Sequence, residues 1–140
     1  MKYYRIHTAD QAYLTKQPRG VFTAVAKLSE SKTLTEEEEK EYLRNHDYFE
    51  SILPVPPFYK DNNPDGAITW FKDTPEGKSV WDQMKFYREM CSKYGVQLYV
   101  SECDFIPGDL VYEDDFQIAV KNPVTENITT RALIRYDAFC

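Results

Sequence analysis

Gly108-Asp109-Leu110-Val111-Tyr112-Glu113-Asp114-Asp115-Phe116-Gln117-Ile118-Ala119-Val120 reads as a β-hairpin. Pro107-Gly108 turns the chain in, and a short strand follows. Phe116, Ile118 and Val120 then alternate with Gln117, Ala119 and Lys121, the period-2 pattern of a half-buried strand. Between the two strands, Glu113, Asp114 and Asp115 fall at the bend, where acidic side chains bond local N–H groups. The rest of the chain is read as building a sheet for this hairpin to join.

Upstream, Lys2 to His7 reads as a first strand rich in β-formers. Thr8 or Asp10 could cap a short helix through Leu14, ending before Gln17-Pro18. Arg19-Gly20 turns the chain into Val21-Phe22-Thr23-Ala24-Val25, which has strand composition and is read as a strand. Ala24 to Leu28 is equally readable as one helical turn. Thr33-Leu34-Thr35-Glu36 opens the clearest helix, with a Thr cap, a Glu three residues on, and four acids in the first turn. Tyr42, His46, Phe49 and Leu53 give it an apolar stripe, with His46 expected as a hydrogen-bonded core residue. Pro54, Pro56 and Pro57 stop it, and Pro54 to Gly66 reads as a long loop of the kind that often carries function.

Gly66 to Phe71 follows as a strand. Thr74-Pro75-Glu76 is a helix start, Val80, Met84, Tyr87, Cys91 and Tyr94 form its stripe, and Gly95 ends it. Val96 to Val100 is the next strand. Strand, helix and strand over this span predict a βαβ unit with parallel pairing and a right-handed crossover. A last strand is read over Ile128 to Tyr136. The expectation is one domain over residues 1–140, α+β or α/β, with a mixed sheet of about five to six strands, one βαβ unit and two main helices.

Composition narrows the function classes. A net charge of −6 argues against direct nucleic-acid binding, which needs clustered Lys and Arg. Eleven Tyr, eight Phe and two Trp point to a core whose rim reaches water through phenols, or to an aromatic contact surface. Met1-Lys2-Tyr3-Tyr4-Arg5 enters a strand pattern with no apolar leader, and no stretch approaches the ~20 apolar residues of a membrane span. Cys91, Cys103 and Cys140 show no metal-ligand spacing. A reduced, cytoplasmic protein without metal or resident cofactor is expected, with oligomerisation left open.

Gly77-Lys78-Ser79, between a strand and a helix, matches the end of a phosphate-binding loop. That loop needs a glycine five residues earlier, where this chain has Lys72. A weaker anion site remains: Lys72, Thr74, Lys78 and Ser79 at a helix N-terminus, with Arg19 and the loop residue Tyr59 as further ligand contacts. The leading expectation is therefore a binding module for a phosphorylated or nucleotide-like small molecule, or for a protein partner. An alternative uses the acids Glu36 to Glu39 and Glu113 to Asp115 to occupy a basic groove.

Tyr4-Arg5 on a first strand, Thr69-Trp70 on a middle one and Glu113 or Gln117 on a late one are similar in order to the key positions of ADP-ribosyltransferase-like domains. That resemblance implies NAD as substrate, held by Arg5 and Thr69, with Glu113 polarising the ribose. More loosely, the chain resembles small proteins of bacteria and their phages, among them inhibitors and ligand sponges that act against host defence.

Overall fold

The computed structural model describes residues 1–11, 18–54, 56–57 and 66–133. The hairpin forms as read: β5 (Asp109–Glu113) and β6 (Gln117–Lys121) pair antiparallel, with a register shift between Leu110 and Tyr112. Of the three acids, Asp114 makes the turn. Its carboxylate accepts from the N–H groups of Phe116 (2.8 Å) and Gln117 (3.0 Å), and from the Tyr112 hydroxyl (2.7 Å).

The sheet this hairpin joins runs β5-β6-β3-β1-β4-β7, where β1 is Tyr3–Gln11, β3 Ile68–Lys72, β4 Tyr99–Cys103 and β7 Thr129–Ala132. A short β2 (Pro18–Gly20) pairs with the far end of β1. The α+β class holds, but the expected mixed sheet does not, since every pairing among the described residues is antiparallel. The strand–helix–strand order is present, yet β3 and β4 do not pair. β1 lies between them, antiparallel to both, which makes a split βαβ arrangement. β1 takes the centre because both its faces are apolar enough to bury: Tyr3, Tyr4, Ile6 and His7 are all buried.

Among the described residues, four helices cover one face: α1 (Val21–Glu30), α2 (Glu36–Ile52), α3 (Pro75–Gln83) and α4 (Lys85–Lys93). The strand expected at Val21 is the start of α1. Val21, Ala24, Val25 and Leu28 recur at helical spacing and turn one face to the core, which outweighs their β-branched composition. The helix expected from Thr8 is instead a continuation of β1 to Gln11, and residues 12–14 lie outside the described residues. α2 opens on a complete capping box between Thr35 and Glu38. His46 is not in the core: half exposed, it lies 3.5 Å from Glu50 and 3.8 Å from Asp47. The helix expected from Thr74 to Gly95 bends at Met84 (φ −84°, ψ 9°), where Arg88 bonds the Trp81 carbonyl and stacks 4.6 Å above its ring. Its stripe is otherwise as read, with Val80, Met84, Tyr87 and Cys91 buried.

The sheet therefore has two apolar faces. Tyr4, Ile6, Phe71 and Val100 meet the helices around Trp81. On the opposite face, Tyr3, Ile68, Trp70, Cys103, Ile118 and Val120 pack with Phe105 and Ile128. No helix among the described residues is long and apolar enough to cross a membrane.

Candidate functional site

The anion-site residues at the β3–α3 turn are largely occupied within the fold. The Thr74 hydroxyl accepts from the Gly77 N–H (3.2 Å) and donates to the Asp115 carbonyl (3.3 Å). Ser79 donates to the Glu76 carbonyl, and Lys72, buried, lies 2.7 Å from Glu113. Gly77 has a packing reason: the Tyr4 hydroxyl donates to its carbonyl at 2.6 Å, and a Cβ there would lie 1.8 Å from the Lys72 oxygen. Lys78 lies exposed on the first turn of α3. Arg19 belongs to β2, and Tyr59 lies outside the described residues, as does most of the Pro54–Gly66 loop.

Arg5, Thr69 and Glu113 are not brought together. Thr69 lies between Ile68 and Trp70, which face away from the helices, so strand alternation turns it toward them with Phe71. Arg5 follows Tyr3 onto the opposite face, and Glu113, opposite Ile118, shares that face but sits on β5, with β6 and β3 between it and β1. The acids are dispersed too. Glu38 bonds the Thr35 N–H, Lys93 and Tyr94, Glu39 accepts from Ser29, and Asp114 is used in its turn.

Two other places gather chemistry. On the helix side, a cleft of about 520 Å³ opens between α1, β1 and the segment before β4. Ala24, Leu28 and Val96 give it apolar walls, and Thr8, Lys27, Glu30 and Ser31 add hydroxyls and one charge of each sign. Ser31 is held by its own contacts with the Leu28 carbonyl (3.2 Å) and the Thr33 hydroxyl (2.8 Å).

On the other face, β1, β4 and β7 align a polar chain. His7 Nδ1 lies 2.8 Å from the Thr8 carbonyl and Nε2 lies 2.7 Å from Ser101 Oγ, which is 2.8 Å from Thr130 Oγ1. A carbonyl only accepts, so Nδ1 carries the proton and Nε2 presents its lone pair to Ser101. Burial, with a smaller push from Arg5, lowers the His7 pKa and favours the neutral ring. Ser101 then donates to His7, and Thr130 donates to Ser101. Tyr99 stacks on the imidazole at 6.0 Å, and Arg5 is the register partner of Ser101. Among the described residues no group of His, Cys, Asp and Glu could hold a metal ion.

Neither place was found from sequence. Lys27 lay past the strand read over Val21 to Val25, within the alternative single turn Ala24 to Leu28, and Ser101 lay just past the predicted end of its strand. The one available signal was His7, a histidine in phase with Tyr3 and Arg5 on an alternating strand. No protein-family model, curated protein or solved structure matches the chain.

Proposed function

We propose that this protein is a binding module for a small anionic ligand, phosphorylated or nucleotide-like, held in the cleft between α1, β1 and the start of β4. The observation that carries this reading is the cleft itself, whose volume lies within the roughly 300–1,000 Å³ of small-molecule sites. Lys27 supplies the cation for a phosphate, Thr8 and Ser31 line the same space, and Ala24, Leu28 and Val96 offer a wall for a flat ring. Glu30 opposes heavy negative charge, which favours a ligand with few phosphates. The strand-to-helix turn at Lys72 is a weaker candidate, because Lys72 already has Glu113 as its counter-charge. Binding without turnover would make the protein a sponge, releasing its ligand unchanged.

A thermal-shift screen with nucleotides, NAD and cyclic dinucleotides tests this. A compound at a hundredfold excess over its Kd should stabilise the fold by about 2.7 kcal/mol. Lys27→Glu should abolish the shift while leaving the unliganded melting temperature nearly unchanged, since Lys27 is on the surface turn of α1. No shift with any compound, or an equal shift in Lys27→Glu, overturns the reading.

A further inference from the structure

A second centre, independent of that cleft, lies on the opposite face of the sheet. Strand alternation and register place Arg5 and His7 of β1, Ser101 of β4 and Thr130 of β7 side by side. Arg5 is directly opposite Ser101, which is directly opposite Thr130, so their Cβ atoms are separated by about 5 Å at each step. His7 reaches Ser101 diagonally, and its ring is fixed on three sides: by the Thr8 carbonyl, the Tyr99 ring and the Ser101 hydroxyl. An imidazole held by a carbonyl at Nδ1, with Nε2 at 2.7 Å from a serine hydroxyl, is a base–nucleophile pair. Thr130 is exposed and its hydroxyl meets that of the buried Ser101 at 2.8 Å.

We propose that Ser101 is an activated nucleophile that takes an acyl group from small carboxylic esters, with His7 as general base and Arg5 facing the developing oxyanion. Ser101 Oγ attacks the ester carbonyl carbon while its proton passes to His7 Nε2. The new Oγ–C bond forms, the C–O bond to the leaving alcohol breaks, and Nε2–H protonates the departing alkoxide. Water then attacks the acyl-serine, giving its proton to Nε2, and the carboxylic acid leaves with Ser101 restored. Ser101 pairs with both neighbouring strands, so its own N–H is committed to the ladder and the positive charge must come from a side chain. Arg5, in register with Ser101, places a cationic residue on the same face as that hydroxyl.

The test uses the full chain with p-nitrophenyl acetate and, separately, a fluorophosphonate, followed by intact mass and peptide mapping. A single adduct on Ser101 is expected, absent in Ser101→Ala and slowed more than tenfold in His7→Gln. Circular dichroism and melting temperature establish that each variant is folded. Among the described groups, Arg5 on β1 and Tyr99 on β4 are the ionisable ones against His7. Because burial and the Arg5 charge both lower the His7 pKa, the labelling rate should rise to a plateau with a midpoint below 6.5. Should the variants not fold, this profile on the unmodified chain decides. No Ser101 adduct, an undiminished rate in folded His7→Gln, or a rate that only follows hydroxide overturns the proposal.

Discussion

A Cβ added at Gly77 would lie 1.8 Å from the Lys72 carbonyl oxygen and 2.6 Å from its carbon, both backbone atoms that cannot swing aside. The glycine that resembles the end of a phosphate loop is there so that α3 can press against the end of β3. Gly77→Ala should therefore cost about 3 kcal/mol or more in urea unfolding, an overpacking cost paid in the backbone. Two titrating residues act in separate pH windows. Hydrogen bonds from Lys93, the Thr35 N–H and Tyr94 hold the Glu38 carboxyl down to about 2, from an ordinary value of 4.5. Its contribution is present above pH 4.5 and is lost as pH falls from there toward 2; Glu38→Gln should remove that part of the acid transition. His7 acts in the same sense but in a higher window. Its folded pKa lies below 6.5, so the unfolded chain binds the proton first and stability falls as pH drops below 6.5. Denaturation midpoints of His7→Gln against pH should lack that slope.

At the scale of elements, what the chain showed in advance was what local chemistry decides. The capping box of α2 is complete in its own four residues, and Thr35→Ala should cost about 1 kcal/mol in thermal unfolding. The hairpin was legible for the same reason, but not which acid makes it. Asp114 accepts four hydrogen bonds, from Phe116 and Gln117 N–H, Tyr112 Oη and Gln117 Nε2, whereas the adjacent Asp115 side chain is exposed. Asp114→Ala should cost about 2 kcal/mol and speed amide exchange in β5, and Asp115→Ala should stay within about 0.5 kcal/mol. Val21 to Val25 was not legible, because five residues of mixed β-branched, aromatic and small side chains satisfy either period. The helix wins only through Leu28 and the surface that α4 and the sheet offer it. His46 shows the converse, a residue in step with an apolar stripe that nevertheless lies at the edge of the buried arc.

For the molecule as a whole, Lys72 and Glu113 link β3 to β5 across the intervening β6. Lys72 is buried while Glu113 is half exposed, so Glu113→Gln should cost about 1–2 kcal/mol, less than for a fully buried pair. Lys72→Met in that background should recover most of it, measured by urea unfolding of the four-member cycle. By itself the sequence determined a domain mixing helices and strands, α+β or α/β, with most strands and helices, the caps and the apolar stripes, since each depends on residues within a few positions. Only the tertiary structure decided that β1 separates β3 from β4, that Thr69 and Arg5 face apart, and that His7 meets Ser101 across 94 positions of sequence. The physical reason is that a periodic pattern reports which side of a strand is buried but not which strand lies beside it. That choice is made by how much apolar surface the whole sheet can bury, while the entropy of closing a longer loop grows only logarithmically. Antiparallel pairing on both sides of β1 was such a choice, and it brought the His7–Ser101 pair into being.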